Sequence, residues 1–163
     1  MPLHHTNDLI FDLPSELKDR THHIFTLRDT GPSDLTLVLS RQPIGEQETF
    51  TTYEATLLPE LERALPDFKL IKKSHFHMAD QLALLLEYRW SQQGQALHVL
   101  QAHLFHSAAA GERHVLQLIG TALGDFSQKW ENAFYDFLRS VKLRKAAEAE
   151  LAAGARPSPR SLG

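Results

Sequence analysis

Leu82-Ala83-Leu84-Leu85-Leu86-Glu87-Tyr88-Arg89-Trp90, then Ser91-Gln92-Gln93-Gly94, then Ala96 to Phe105, is the stretch that decides the fold. The apolar block Leu82 to Leu86 falls far short of the ~20 residues of a membrane span and reads instead as a buried strand, within a strand running from Leu82 to Trp90. Leu82, Leu84, Leu86, Tyr88 and Trp90 share one face; Ala83, Leu85, Glu87 and Arg89 share the other. Ser91 to Gly94 fits a hairpin turn. On the return, Leu97, Val99, Gln101, His103 and Phe105 lie on one face, and His114 to Leu123 supplies the next strand. Short links between consecutive strands imply an antiparallel meander.

Upstream, Leu9 to Leu13 is a short apolar run stopped by Pro14, read as a first strand, and His22 to Leu27 is a second. Leu35 to Arg41 alternates: Leu35, Leu37 and Leu39 point one way, Thr36, Val38 and Ser40 the other. Thr49 can cap a helix in which Phe50, Tyr53, Leu57, Leu61 and Leu65 recur at helical spacing. Pro59 should kink or split that helix, and Pro66 ends it. Phe68 to Lys73 is a further strand. Downstream, Asp125 and Gln128 resemble a capping box ahead of a helix whose Trp130, Phe134, Phe137, Leu138 and Val141 must dock on the sheet. After Leu143 an Ala-rich helix runs on toward Ala153, and Pro157 to Gly163 has too little apolar surface to fold. The expected organisation is one α+β domain over 1–143 and, over 144–163, an Ala-rich helical extension with a disordered tail.

The 163 residues suit one domain with a real core. Seventeen Lys and Arg against 20 Asp and Glu leave a net charge of -3, which argues against broad nucleic-acid binding. With no cysteine, disulfides and thiolate chemistry are excluded, and the chain would tolerate a reducing compartment. No charged and apolar leader opens the chain, and no stretch is long enough for membrane insertion, so a cytoplasmic protein is expected.

Catalytic signatures are missing. No Gly-rich phosphate loop follows a strand and no nucleophile elbow is present. The ten histidines offer the one temptation. His75 and His77 would share a strand face, and His98, His103, His106 and His114 fall on or near neighbouring strands, but no HExxH spacing supports a metal. The reading is a protein that is not an enzyme and uses neither cofactor nor metal.

The apolar surplus says more. One sheet face and two helices can account for the leucine-rich core. A second face is left over, with Ile24, Val38 and Leu97 interrupted by Thr36, Ser40 and Gln101, and with Leu57, Leu61 and Leu65 bordering it or serving the core. Small, mildly polar residues beside aliphatic ones resemble surfaces that pack on membrane helices; equally, the positions could face the core or a dimer partner.

Several stretches in order carry a family resemblance: Phe11-Asp12-Leu13-Pro14, Ile24-Phe25, Val38-Leu39-Ser40-Arg41, Leu65-Pro66-Asp67-Phe68-Lys69-Leu70, Leu84 through Trp90, Gly94, Leu97 through Gln101, Lys129-Trp130 and Phe137. The chain resembles the Eag chaperones of bacterial type VI secretion, within the wider DcrB-like and PsbP/Mog1-like group, from about Leu9 to Leu143. The resemblance implies a homodimeric α+β protein, a curved and mainly antiparallel sheet with its helices packed on one face. It further implies a cytosolic chaperone that shields the N-terminal transmembrane helices of an Rhs/PAAR-type effector and promotes its loading for export. The implied client-binding residues are Ile24, Thr36, Val38, Ser40, Leu57, Leu61, Leu65, Leu97 and Gln101. Leu57 stands where related chains can carry a polar residue, and His22 where an aliphatic one can occur. The competing expectation is a lipid- or amphiphile-binding module of the same fold.

Overall fold

The computed structural model describes residues 3–5, 8–14, 16–18, 20–107 and 111–144. In chain order its elements are β1 (Leu3–His5), β2 (Ile10–Asp12), β3 (His23–Thr26), β4 (Leu35–Pro43), α1 (Phe50–Ala64), β5 (Lys69–Met78), β6 (Gln81–Gln92), β7 (Gln95–Ser107), β8 (Arg113–Leu123) and α2 (Gln128–Ser140). β3 to β8 form one antiparallel sheet in the order β3-β4-β8-β7-β6-β5. β1 and β2 pair separately, so the Leu9 to Leu13 run expected as a first strand stands outside the main sheet. The Ala-rich extension and the tail from 145 onward lie outside the described residues.

The meander β5 to β8 is built on tight turns. Gln93 and Gly94, with φ of 50° and 79°, join β6 to β7, and Ala79 and Asp80, with φ of 50° and 61°, join β5 to β6. Two consecutive residues with positive φ match the twist of the strands they connect. The link from β4 to β5 is different, because those strands sit near opposite ends of the sheet order. α1 makes that crossing. Thr49 caps it, accepting from the Thr52 amide at 3.1 Å, while Thr52 Oγ1 accepts from the Thr49 amide at 2.9 Å. Arg113 fixes the approach, donating to the carbonyls of Gly45, Glu46 and Glu48 at 3.1, 2.9 and 2.8 Å. Pro59 lies inside a single assigned helix, which is not split there.

The α+β class and the mainly antiparallel sheet are as expected; the placing of the helices is not. They pack on opposite faces. α1 covers Leu84, Leu86, Tyr88 and Val99. α2 covers Ala83, Leu85, Leu100, Ala102, Leu104, Leu118 and Ala122 through Phe134 and Leu138, with Trp130, Phe137 and Val141 packed beside them. The cause is visible in β6: a strand with one wet face alternates with polar residues, whereas residues 83–86 are buried on both sides.

The α2 cap also departs from the expected Asp125/Gln128 box. Ser127 is the N-cap and accepts from the Trp130 amide at 3.3 Å, while Asp125 pairs with Arg89. Just before it, the Phe126 amide donates to His98 Nδ1 at 3.1 Å, so the proton of a neutral His98 ring sits on Nε2, 3.0 Å from Glu87 Oε1.

Candidate functional site

The α1 face of the sheet is only half covered. Register places its side chains in three parallel rows. One runs Thr26, Thr36, Thr121, Val99, Tyr88; the next Ile24, Val38, Ile119, Gln101, Leu86; the third Ser40, Gln117, His103, Leu84. α1 sits on the β6 and β7 end, where Leu84, Leu86 and Val99 are sealed. Toward β4 and β3 the rows emerge: Thr36, Val38, Ile119 and Thr121 are half-buried, and Ile24 is 64% exposed. Leu57 and Leu61 follow one stripe of α1 with Tyr53, and Leu65 is the extended C-cap residue just past it. Leu57 is buried, while Leu61 and Leu65 are half-buried at the margin of the covered part. The result is an open shelf, an apolar row between two polar ones, backed by a helix.

The residues expected to form the site therefore share one face or the helix lying over it. Ile24, Thr36 and Val38 are accessible. Ser40 and Gln101 lie in these rows, and Leu97 lies on the same face in the neighbouring register with Trp90 and Leu123, but the three are buried, at 9%, 4% and 5% exposure. The sequence reading missed the contribution of β8: Gln117, Ile119 and Thr121 fill the middle of each row. The signal was present in the alternation of these residues with Leu116, Leu118 and Gly120.

Two hydrogen-bonded polar sets lie where the shelf passes under α1. Ser40 Oγ donates to Gln117 Oε1 at 3.3 Å, Gln117 Nε2 donates to the Tyr53 hydroxyl at 3.3 Å, and that hydroxyl meets His103 Nδ1 at 2.8 Å. Burial raises the Tyr53 phenol and lowers the fully buried His103 imidazole to about 4, so His103 is neutral near pH 7. In the second set the Tyr88 hydroxyl donates to Gln101 Oε1 at 2.6 Å. At the far margin Glu54 on α1 takes Lys73 Nζ at 2.5 Å and His75 Nε2 at 2.7 Å. Burial alone would raise its carboxyl, but these partners hold it below the ordinary range.

The histidines are dispersed: His98 serves the α2 face and His103 the α1 face. Among the described residues no group of three or more His, Asp or Glu could hold a metal ion. No described helix is long and apolar enough to cross a membrane.

The profile of the DcrB family matches residues 9–140. A curated protein of Pseudomonas aeruginosa described as Effector EagT6 is 30% identical over 105 residues, spanning 64% of this chain and 73% of that one. Among solved structures, PA94 of P. aeruginosa, a protein of unknown function, superposes with a TM-score of 0.71 at 26% identity over 89% of this chain and 98% of its own. LpqN of Mycobacterium tuberculosis, involved in cell envelope biogenesis, superposes at 0.52 with 19% identity over 76% and 84%, a likeness of fold alone. The match over residues 9–140 spans nearly all of the described fold, and the chain belongs to the DcrB family.

Proposed function

We propose that this protein is a type VI secretion chaperone, a cytosolic adaptor whose shelf shields N-terminal transmembrane helices of an Rhs/PAAR-type effector and helps to load it for export. Likeness to EagT6 supports the link to a type VI effector. The observation that carries the rest is the row Ile24, Val38, Ile119, apolar yet accessible, beside a row of threonines from three strands. A client helix has no water-soluble way to present ~20 apolar residues. The row offers aliphatic contact, and the flanking hydroxyls offer hydrogen bonds where backbones approach closely. Leu61 and Leu65 form the back wall, whereas the buried Leu57 and Leu97 set its shape from beneath. Covering several hundred Å² at about 25 cal/mol per Å² supplies several kcal/mol before association costs. A homodimer would present two such shelves and hold more than one helix. The test is co-expression with an N-terminal effector fragment carrying its helices: the fragment should stay in solution and co-purify with a dimer of this chain. A fragment that aggregates alone and in its presence alike overturns the reading.

The accessible apolar row supports a second reading, a carrier of a small amphiphile or lipid. Native mass spectrometry separates the two, since a carrier retains a bound lipid and a chaperone purified without client does not.

A further inference from the structure

The buried ends of the shelf contain two carboxamides on adjacent strands, and they are not equivalent. Gln117 is engaged at both ends, its oxygen accepting from Ser40 and its nitrogen donating to Tyr53. Gln101 is engaged through its oxygen, which takes the Tyr88 hydroxyl at 2.6 Å. Gln101 lies next to Ile119 in the apolar row, where the open floor passes under α1. Tyr88 is well placed to stay a donor. It is 4% exposed, its ring rests against Phe68 with centroids 5.2 Å apart, and burial drives its phenol well above the ordinary range, so the hydroxyl keeps its proton.

We infer that Tyr88 is a positioning residue: by holding Gln101 Oε1 it fixes the carboxamide so that Gln101 meets an occupant of the shelf with its N–H groups only. A free carboxamide can flip and satisfy either a donor or an acceptor; a fixed one selects. The shelf then prefers an apolar helix that carries a hydrogen-bond acceptor on its docked face. A serine fits, because its own proton turns back to a carbonyl in the preceding turn and leaves the oxygen outward. This inference rests on the proposal that the shelf binds apolar helices, and adds which of them it favours.

The experiment uses two labelled synthetic peptides in mild detergent, Leu/Ala helices of ~21 residues that differ only in a central Ala or Ser. The wild-type protein should bind the Ser peptide about three- to tenfold more tightly, the worth of one net hydrogen bond. Tyr88→Phe keeps the ring and loses the hydroxyl. Whatever its affinity for the Ala peptide, it should lose most of the Ser preference, a ratio that general loosening of the fold would not change selectively. If Tyr88→Phe keeps the full preference, Tyr88 does not position Gln101. If wild type binds both peptides equally, the donor assignment falls while the helix-binding reading stands. If wild type binds neither, the helix-binding reading falls and takes this inference with it. A direct readout guards against an unstable variant: the Gln101 side-chain NH₂ resonances, assigned with Gln101→Met, should be held apart and slow to rotate in wild type. In Tyr88→Phe they should collapse toward free-glutamine values, and unchanged resonances in a folded Tyr88→Phe overturn the proposal.

Discussion

At Gly120 the sheet comes so close to α2 that a Cβ there would lie 2.9 Å from Phe134 Cδ2 and 3.0 Å from its Cε2, with Phe126 Cζ at 3.3 Å. The Phe134 ring is itself buried at 6% exposure and has little room to move aside. Gly120→Ala should therefore cost about 1–3 kcal/mol by overpacking, and Phe134→Ala about 3–5 kcal/mol by leaving a cavity. Because the added methyl would occupy space the ring vacates, the double variant should lose less than the sum. Urea unfolding of the three variants checks this, and strictly additive losses would refute the contact.

The start of α2 gives a second test. Ser127 is the residue whose oxygen takes an orphan helix amide, so Ser127→Ala should cost about 1 kcal/mol. Asp125 pairs with Arg89 at a site where both side chains are largely exposed, at 63% and 47%. Asp125→Ala should then cost no more than about 0–1 kcal/mol, falling further in high salt. Equal losses, or a larger one at Asp125, would restore the cap expected from the sequence.

Acid should weaken the fold through His103. Its folded pKa, lowered by burial to about 4, lies below the ordinary 6.5. Between those values the unfolded chain takes up a proton that the folded chain does not, so stability falls as pH drops from about 6.5 toward about 4, by on the order of 3 kcal/mol in all. Glu54, with its pKa lowered in the fold, also loses stability in acid, but only below its ordinary 4.5. His114, whose imidazole burial also lowers, contributes with the same sign in this window, so melting curves between pH 7 and 5 report both rings, and His103→Gln should flatten the slope there without abolishing it. An unchanged slope would show that the imidazole is not the group responsible.

A charge on the shelf should act according to depth. Val38 is half-buried beside the exposed Ile24, so Val38→Asp keeps its carboxylate wet, folds, and loses the client fragment when the shelf is covered. Leu97 shares the face but is 5% exposed, and Leu97→Asp should destabilise the protein by several kcal/mol before any client is added. Circular dichroism and co-purification read the two effects separately. A folded Val38→Asp that still retains the fragment would put the client surface elsewhere.

How far the sequence reached depended on whether a feature was local. The Leu35 to Arg41 alternation, the β6–β7 hairpin and the α2 stripe are set by neighbours along the chain, and each was legible. The Tyr88–Gln101 pair is nearly so, since the hairpin register sets Tyr88 opposite Val99 and Leu86 opposite Gln101. β5 proved longer than expected because residues 69–78 line an exposed edge where polar side chains blur the alternation, and its register shifts between Leu70 and Lys72. The placing of α1 was not legible: no local signal says over which face a crossover will lie. With it went the Tyr53–His103 contact and the burial of Leu57, which depend on where that helix comes down.

The crossover also orders assembly in time. β5 to β8 pair with their neighbours in sequence, whereas β4 must find β8 across the rest of the sheet, with Leu35 opposite Ala122 and Pro43 opposite His114. Contacts between segments so distant form late, after the hairpins have closed. Among the described residues β3 is held in the sheet by β4 alone, through residues His23 to Thr26. The open half of the shelf is thus the last part to join and the first free to detach, so its amides should exchange with solvent well ahead of those in β6 and β7. An apolar helix seated there, as proposed, would slow that exchange, so the protein would gain order from the occupant it covers.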